Sequence, residues 1–503
     1  MKRVKDLFSW ASILLLAVLS LGACSDGGDD DGKKEAEAPL MTAFGFYAED
    51  NAGVLSKDYV GTISGNAISV AMPASVNKTA LVARFTTNEG NKVLVSGVTQ
   101  VSKTTKNDFS SPVDYTVSNS DGTKNVLYTV TVSKATNVSW SEAAVYSASE
   151  VYAGAVLKVN PTNTVPMIAF KERDDASEKM TVVQLSGSSL ATVGSASFSS
   201  KVGSSNYAFD ISPEGTPYVA YSNDDATLLK GALSVMRYDG SAWVNVGDES
   251  VLKAQSNYIG LAALSGSRLV VNQQNNSTKA DFSRRVMVSS VYNGSAWTNT
   301  AATTNQIYTC VTAGDGTNAY TLYINRGKVD NVNYGMNVVK YDGSAWSTLR
   351  SNYVRSGATQ TSIAGYGLTV APDGTLYIWT GDDADKTGTY GVRLERYNAS
   401  ANTWTVVGGN ILPLGFDLST HTSVAVAVAP DGTPYVAYRN EKDNNYPYVM
   451  YLDPETNQWS TPVRLAEAAA SDVNIAFAKD GTGYVSFTDG DNHIHLMRYA
   501  EAN

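Results

Sequence analysis

Hydrophobic and polar residues alternate along most of residues 136–503, and two hairpin signatures recur within that alternation. The first places a short polar turn, most often Asp-Gly-Thr, between apolar runs, at 211–221 (ISPEGTPYVAY), 370–379, 428–438 and 477–487. The second joins a tyrosine to a tryptophan, at 238–243 (YDGSAW), 292–297 and 341–346, with looser copies ending at Trp404 and Trp459. Alternation of hydrophobic and polar residues with a period of two, interrupted by Asp-Gly or Asn-Gly, predicts β-hairpins.

The two hairpins alternate and together supply four antiparallel strands in about 50 residues, the repeat of a β-propeller blade. Seven such units can be counted. The region opens with a lone strand that carries Trp140, and its last unit ends near Tyr499 one strand short. We therefore predict a seven-bladed β-propeller at 136–503, closed by its own N-terminal strand so that no sheet edge stays open. A miscounted degenerate unit would give six or eight blades.

Residues 40–135 contain shorter strand-like runs and end in a hairpin across Asp121-Gly122. Their number and the length of the segment predict an Ig-like β-sandwich, so the whole chain is expected to be all-β. The stretch 107–135 (NDFSSPVDYTVSNSDGTKNVLYTVTVSKA) resembles the end of the Ig-like domains found near the N-terminus of lipoproteins from Bacteroidetes. That resemblance implies a spacer or a scaffold.

The first 39 residues predict an export signal followed by a tether. Lys2, Arg3 and Lys5 precede a short apolar run and small residues that lead to Cys24, an order typical of a secretory signal peptide. Residues 21–24 (LGAC) resemble the bacterial lipobox, which implies a signal peptide at 1–23 and lipidation of Cys24. The acidic, Gly-rich stretch 24–39 is expected to be a flexible tether.

The acidic patch after Cys24 resembles the surface-export signal of Bacteroidetes lipoproteins. The expected location is therefore the outer membrane, exposed on the cell surface, with the lipid as the only membrane contact. An ordinary signal peptide with a chance cysteine is the alternative.

Charge and cysteine usage narrow the partners and the chemistry. The net charge of −10 argues against nucleic acid, because a phosphate backbone requires a basic surface. The chain has two cysteines, so lipidation of Cys24 would leave Cys310 without a disulfide partner. Cys310 lies in an apolar run and is expected to be a small buried residue.

Connection lengths indicate which end of the propeller binds a ligand. Connections from second to third strand, and from blade to blade, are long and emerge at the same end, where function usually resides. Polar side chains that can exchange hydrogen bonds with sugar hydroxyls occupy the second-to-third-strand loops. For any one of them, an ordinary hydrophilic loop is the competing explanation. The candidate ligand-binding residues are Arg173, Asn223, Asp224, Asn272, Gln273, Asn325, Arg326, Asp382, Arg439, Asn440 and Asp489.

Other motifs predict no catalytic residue, metal or cofactor. His493 and His495 alternate on one strand without an evident third ligand. Segments 382–385 and 489–492 resemble calcium loops without the complete pattern, so calcium stays an open alternative. The recurring tryptophans, and Trp379 with them, are expected to pack within and between sheets. The blade layout is similar to kelch and sialidase propellers, although the diagnostic motifs of both families are missing.

Three functions fit this organisation. The leading hypothesis is a lipid-anchored binding protein at the cell surface, with a glycan as the ligand and the long-loop end of the propeller as the site. The second is a glycan-cleaving hydrolase or lyase that uses carboxylates in the channel. The third is a protein–protein scaffold in an outer-membrane complex. The fold alone does not choose among them.

Overall fold

The computed structural model describes residues 38–88, 90–135, 138–152, 154–173, 178–225, 227–278, 281–354, 365–382, 391–409, 412–413, 424–454 and 456–501. Every regular secondary-structure element in these ranges is a β-strand. The strands lie in one compact unit, Pro39–Asn503. Within the same ranges, no helix has the length and apolar character needed to cross a membrane. The predicted signal peptide at 1–23 and the candidate lipidation residue Cys24 lie outside the described residues.

Eleven strands in the described part of 41–134 form an N-terminal β-sandwich. One sheet has the order β2-β1-β6, a second has the order β3-β4-β11-β10-β7-β8, and β5 pairs with β9. The predicted hairpin across Asp121-Gly122 joins β10 to β11. The strands are β1 (Met41–Phe46), β2 (Tyr59–Val60), β3 (Thr62–Ser64), β4 (Ala67–Met72), β5 (Leu81–Val82), β6 (Arg84–Thr87), β7 (Lys92–Val95), β8 (Val98–Thr99), β9 (Lys106–Asn107), β10 (Val113–Ser118) and β11 (Asn125–Lys134).

Aromatic side chains fill the core of the sandwich. Phe46 and Phe109 meet edge to face with ring centroids 4.7 Å apart, and Phe44 meets Tyr115 in the same way at 5.3 Å. All four are almost fully buried. Edge-to-face pairs add stability beyond area burial, so this cluster holds the two sheets together without a disulfide.

Four-stranded antiparallel sheets, consistent with propeller blades, make up the rest of the described chain. Sheets 1 to 6 each run in sequence order from a first to a fourth strand. Sheet 1 contains β13 (Val156–Val159), β14 (Pro166–Lys171), β15 (Met180–Ser186) and β16 (Ser189–Thr192). Sheet 2 contains β17 (Val202–Ile211), β18 (Pro217–Asn223), β19 (Ala232–Tyr238) and β20 (Trp243–Asn245). Sheet 3 contains β21 (Ser256–Leu264), β22 (Arg268–Asn275), β23 (Met287–Tyr292) and β24 (Trp297–Ala301).

Sheets 4 to 6 each carry an addition to this pattern. Sheet 4 contains β25 (Ile307–Gly314), β26 (Ala319–Asn325), β29 (Met336–Tyr341) and β30 (Trp346–Tyr353), with a small hairpin of β27 (Lys328–Val329) and β28 (Val332–Asn333). Sheet 5 contains β31 (Tyr366–Val370), β32 (Leu376–Asp382), β33 (Gly391–Asn398) and β34 (Thr403–Val406), with β35 (Leu412–Pro413) beside β33. Sheet 6 contains β36 (Val424–Val428), β37 (Pro434–Asn440), β38 (Tyr446–Asp453) and β39 (Gln458–Trp459), with β40 (Val463–Arg464) beside β38.

Sheet 7 joins the two ends of this region. It contains β41 (Ser471–Phe477), β42 (Gly483–Thr488) and β43 (Ile494–Glu501), and its fourth strand is β12 (Val138–Tyr146) from the start of the region. Trp140 of β12 faces Tyr499 of β43, as the sequence predicted for a lone N-terminal strand. The first strands of successive sheets contact one another, and β41 contacts β13 in turn.

The recurring tryptophans pack between neighbouring sheets. The Nε1 atom of Trp243 donates a hydrogen bond to the Val193 carbonyl at 2.7 Å, and Trp297 does the same to Val246 at 2.7 Å. Each acceptor belongs to the connection that leaves the preceding sheet, so each tryptophan ties one sheet to the one before. Gly247, with a φ of +82°, lets Trp297 approach closely, because a Cβ there would lie 3.0 Å from the indole.

The two ends of the stack of sheets differ. Connections between first and second strands, and between third and fourth strands, emerge at one end, called the turn end. The remaining connections emerge at the other end, called the loop end. The sandwich contacts the turn end, where Ser75 Oγ donates to the Gly481 carbonyl at 2.5 Å and Lys134 Nζ donates to the Tyr451 hydroxyl at 3.0 Å. The loop end therefore lies on the side away from the sandwich.

Candidate functional site

A cavity of about 720 Å³ lies between the first strands of the sheets. Most of its wall comes from β13, β31, β36 and β41 and is apolar. Two carboxylates line the described wall: Asp472 starts β41 at the loop end, and Asp315 lies in the turn after β25 at the turn end. These two carboxylates therefore do not face each other as an acid–base pair.

Trp379 also lines the cavity, yet it behaves as a packing residue. Only 7% of it is exposed, and a Cβ at Gly367 would lie 2.4 Å from its Nε1 atom. The indole thus lies flat against the backbone of the neighbouring strand. This agrees with the packing role that the sequence predicted.

Tyrosines gather at the loop end of sheets 3 and 4, outside the lining of this cavity. Tyr258 and Tyr308 lie near the start of the first strands β21 and β25, with ring centroids 6.2 Å apart. Tyr334, from the connection between the second and third strands of sheet 4, meets Tyr308 edge to face at 6.1 Å. We call these three residues the tyrosine patch. Tyr258 is 37% exposed, so part of its side chain faces solvent.

Backbone geometry directs Tyr258 outward. Its φ is +51°, and the pairing of β21 with β22 shifts register between Asn257 and Gly260. Such a bulge bends a strand and redirects the side chain at that point. Beneath the patch, the thiol of Cys310 donates to the Tyr258 carbonyl at 3.0 Å, and burial raises the pKa of that thiol. Cys310 is buried, as predicted, and supports the bulge from below.

Three arginines border the tyrosine patch. Arg284 and Arg285 precede β23 of sheet 3, and Arg326 follows β26 of sheet 4. Arg284 and Arg326 are exposed and Arg285 is partly buried. The backbone brings the two sheets together here, because Ile307 N donates to the Arg285 carbonyl at 2.7 Å and Arg326 N donates to Gln306 at 2.8 Å. We call Arg284, Arg285 and Arg326 the arginine group.

Four predicted ligand-binding residues are buried in strands and do not lie in loops: Asn223, Asn272, Gln273 and Asn325. Asn223 Nδ2 donates to Ser234 Oγ at 2.9 Å, and Asn272 Nδ2 donates to Thr321 Oγ1 at 2.7 Å. These second strands run between two other strands up to their ends. Asn223, Asn272 and Asn325 are buried there because their side-chain amides bond to nearby strands, whereas their polar composition alone suggested loops.

The other predicted residues lie at or near the loop end. Arg326 is the one that belongs to the arginine group. Arg173 is exposed and pairs loosely with Glu150 at 3.9 Å, and Arg439 of β37 pairs with Glu441 at 2.6 Å. Of the rest, Asp224 follows β18, Asn440 ends β37, Asp489 follows β42, and Asp382, of which only the backbone is described, ends β32.

The turn after β42 contains the described cluster with the best metal-ligand geometry. One ligand atom from each of Asp489, Asp491 and His493 lies within 4.8 Å of the others. Asp489 already accepts hydrogen bonds from the amides of Asp491 at 2.9 Å and His493 at 2.8 Å, and its other oxygen lies 3.0 Å from His495 Nε2. Burial opposes ionisation of Asp489, but these hydrogen bonds outweigh it and lower its pKa. Its oxygens therefore stabilise the turn.

Two further charged clusters tie neighbouring sheets together. Lys171, 1% exposed, pairs with Glu178 at 3.1 Å, and Lys201 pairs with the same carboxylate at 3.0 Å. The hydrogen bond from Lys201 is the main cause of a lowered pKa at Glu178. Arg350 of sheet 4 pairs with Glu395 of sheet 5. Both clusters are fully paired internally, which fits a structural role.

Comparison with known proteins assigns the N-terminal part of the chain. A family model described as SGBP, N-terminal, where SGBP denotes a surface glycan-binding protein, matches residues 52–132. This match falls within the β-sandwich. The chain thus carries an SGBP N-terminal domain, followed by a propeller-like β domain. No curated protein sequence matches the chain significantly.

Several solved structures are similar to the chain at low identity. A polysaccharide lyase of family PL25, an ulvan lyase bound to a GlcA–Rha3S oligosaccharide, is 14% identical with a TM-score of 0.46 and covers 71% of this chain and 95% of its own. An α-L-arabinanase from Penicillium chrysogenum complexed with arabinobiose is 13% identical, with a TM-score of 0.37 and coverages of 59% and 92%. An α-L-arabinofuranosidase from Fusarium graminearum is 8% identical, with a TM-score of 0.41 and coverages of 73% and 98%.

The tyrosine patch and two of the three arginines were not among the residues predicted from sequence. A usable signal was present, because Tyr258, Tyr308 and Tyr366 all stand near the start of a first strand. Such a repeated position places aromatic residues at the same end of successive sheets. The polar loops were the more conspicuous feature, and they directed the prediction to the second strands.

Proposed function

We propose that this protein is a cell-surface glycan-binding protein and that its ligand site is the tyrosine patch. The observation that carries the proposal is the position of Tyr258 and Tyr308, adjacent aromatic rings at the loop end of the first strands of sheets 3 and 4. An aromatic face stacks on the apolar face of a sugar ring, and polar groups at the rim bond to its hydroxyls. The SGBP N-terminal domain supports the same function.

The proposal includes the architecture that presents this site. We infer that the seven sheets form one seven-bladed propeller, closed by β12, and that the sandwich holds it at the turn end. The apolar cores between successive sheets and the contact of β41 with β13 support a closed ring. In this arrangement the tyrosine patch faces away from the sandwich and from the segment that leads to Cys24.

We further propose that lipid on Cys24 anchors the protein in the outer membrane, with the propeller outside the cell. Replacing Cys24 with serine would remove the acylated thiol. Cell fractionation should then find the variant in the soluble fraction, whereas the wild-type protein stays with the membrane. Retention of Cys24→Ser in the membrane fraction would contradict the anchor without affecting the ligand site.

Glycan binding is tested with the full-length chain in detergent on a broad glycan array. We expect binding to a defined glycan class and its loss, by about tenfold or more, in Tyr258→Ala and Tyr308→Ala, because each variant removes a stacking surface. Tyr47→Ala, which removes a partly exposed tyrosine of the sandwich, is the matched control and should bind normally. Absence of binding to every glycan, or equal binding by all three variants, would refute the proposed site.

A further inference from the structure

The arginine group carries a charge that its surroundings do not balance. Among the residues that the structure describes, no carboxylate lies within ion-pair distance of Arg284, Arg285 or Arg326. Arg284 has a neutral partner, since its Nε atom donates to Asn276 at 3.3 Å. The contrast with other parts of the chain is clear, because Arg84 contacts two acidic residues and Glu395 contacts two arginines.

The three positive charges are close enough to act on one another. The pKa of Arg285 is lowered, first by burial and then by the charges of Arg326 and Arg284. The chain has a net charge of −10, yet no described carboxylate is paired with these three arginines. Like charges held together favour the binding of an anion, because the anion relieves their repulsion.

The arginine group and the tyrosine patch form one surface. Burial raises the pKa of Tyr258, Tyr308 adds to that rise, and the charge of Arg326 opposes it, so the two side chains are within electrostatic range of each other. The hydrogen bonds at residues 306 and 307 also hold Arg285 and Arg326 on either side of the connection that leads into Tyr308. A ligand stacked on the tyrosines would therefore present its substituents to the guanidinium groups.

We infer that this site selects anionic glycans, in which a sulfate or uronate group pairs with Arg285 and Arg326 while a sugar ring stacks on Tyr258 and Tyr308. The inference rests on the proposed glycan-binding function and specifies its ligand class. Guanidinium groups suit this role, because their planar donors match the oxygens of planar or tetrahedral oxyanions, and charge-assisted hydrogen bonds are stronger than neutral ones.

The experiment compares matched neutral and charged polymers by affinity electrophoresis of the full-length chain in detergent. One pair is dextran and dextran sulfate, and the other is polygalacturonate and its carboxyl-reduced form; an array of acidic and neutral glycans widens the search. We expect charged glycans to bind about tenfold or more tightly than their neutral counterparts. Added salt should weaken that binding, because it screens exposed charges. The pair that shows the larger difference identifies sulfate or carboxylate as the recognised group.

Single substitutions then test the arginines directly. Arg285→Gln and Arg326→Gln should each weaken binding of the charged glycan by about tenfold, and Arg285→Lys should retain more of it. Arg237→Gln is the matched control, because Arg237 is exposed on β19 near the turn end. Its binding should equal that of the wild-type protein.

The outcomes separate this inference from the proposed function. Binding of neutral glycans that depends on Tyr258 but not on Arg285 or Arg326 would overturn the anionic class and leave glycan binding intact. Equal binding of polyglutamate, an anion without sugar rings, would overturn it as well, because charge alone would then explain retention. Failure to bind any glycan, charged or neutral, would overturn the proposed function and this inference with it.

Discussion

Glu395 offers a sharp test of how neighbouring sheets are held together. Its carboxylate lies on β33 of sheet 5 and pairs with Arg350 of sheet 4 at 2.5 Å and with Arg393 at 2.7 Å. Only 6% of the Glu395 side chain and 9% of the Arg350 side chain are exposed. Arg350 also lies over the ring of Trp404, 4.4 Å from its centroid. Glu395 thus neutralises guanidinium groups that solvent reaches poorly.

The substitution Glu395→Gln removes the negative charge and nearly preserves the shape of the side chain. It leaves two arginines with little solvent and no carboxylate, and breaking a buried pair in this way costs about 3–5 kcal/mol. We expect a loss of that size in the free energy of unfolding, measured by urea titration with tryptophan fluorescence as the readout. Far-UV circular dichroism checks that the variant folds before the titration.

Glu467→Gln is the matched control. It removes the same charge from a pair with Arg464 at 2.6 Å, but Glu467 is 73% exposed. Exposed pairs contribute about 1 kcal/mol or less, so this variant should remain close to the wild-type protein. Equal losses in the two variants would refute the argument that burial of the Arg350–Glu395 pair, and not the presence of an ion pair, determines the cost.

Three further predictions concern packing, turn electrostatics and the buried thiol. Gly408→Ala should lower the free energy of unfolding by more than about 1 kcal/mol in urea titration, because φ is +70° and a Cβ would lie 2.3 Å from Trp459 Nε1. An unchanged free energy of unfolding would contradict this close contact. Hydrogen bonds in its turn lower the pKa of Asp342 to about 2. The stability that Asp342 contributes is therefore present above about pH 4 and lost as pH falls towards 2. Asp342→Asn should abolish this contribution to the pH dependence and keep the turn, because Asn293 holds the equivalent turn of sheet 3. Cys310 should resist a thiol reagent until the protein unfolds, because burial raises its pKa, and fast labelling of the native protein would refute that burial.

Local turn chemistry explains why much of the fold could be predicted. Asp342 accepts hydrogen bonds from the amides of residues 344 and 345, both at 2.9 Å, so the Asp-Gly-Ser-Ala signature determines its own hairpin. Alternation then assigns the faces of the adjoining strands, and the tryptophan indicates which face packs. The lone strand around Trp140 could be recognised from its tryptophan, which marks the fourth strand of a unit.

The candidate site was harder to predict because it depends on tertiary contacts. Asn272 and Gln273 have the composition of a loop, but they extend β22 into the interior, where neighbouring strands cover them. The sequence around Tyr258 has the composition of a strand, but a bulge turns the Tyr258 side chain outward. Neither outcome follows from the pattern of a single segment, because each is decided by the strand that lies alongside. Arg326 could be predicted because it lies in an exposed polar loop directly after β26.

The pairing of β12 with β43 has a consequence for how the protein is made. β12 pairs with β43, which lies more than 300 residues later in the chain, so this sheet can be completed only after β43 has been synthesised. Until then β12 lacks its partner and β42 has one unpaired edge, and a chain truncated before Ile494 would keep both edges open. Because unpaired strand edges can pair with other chains, completion of the polypeptide protects each copy against aggregation.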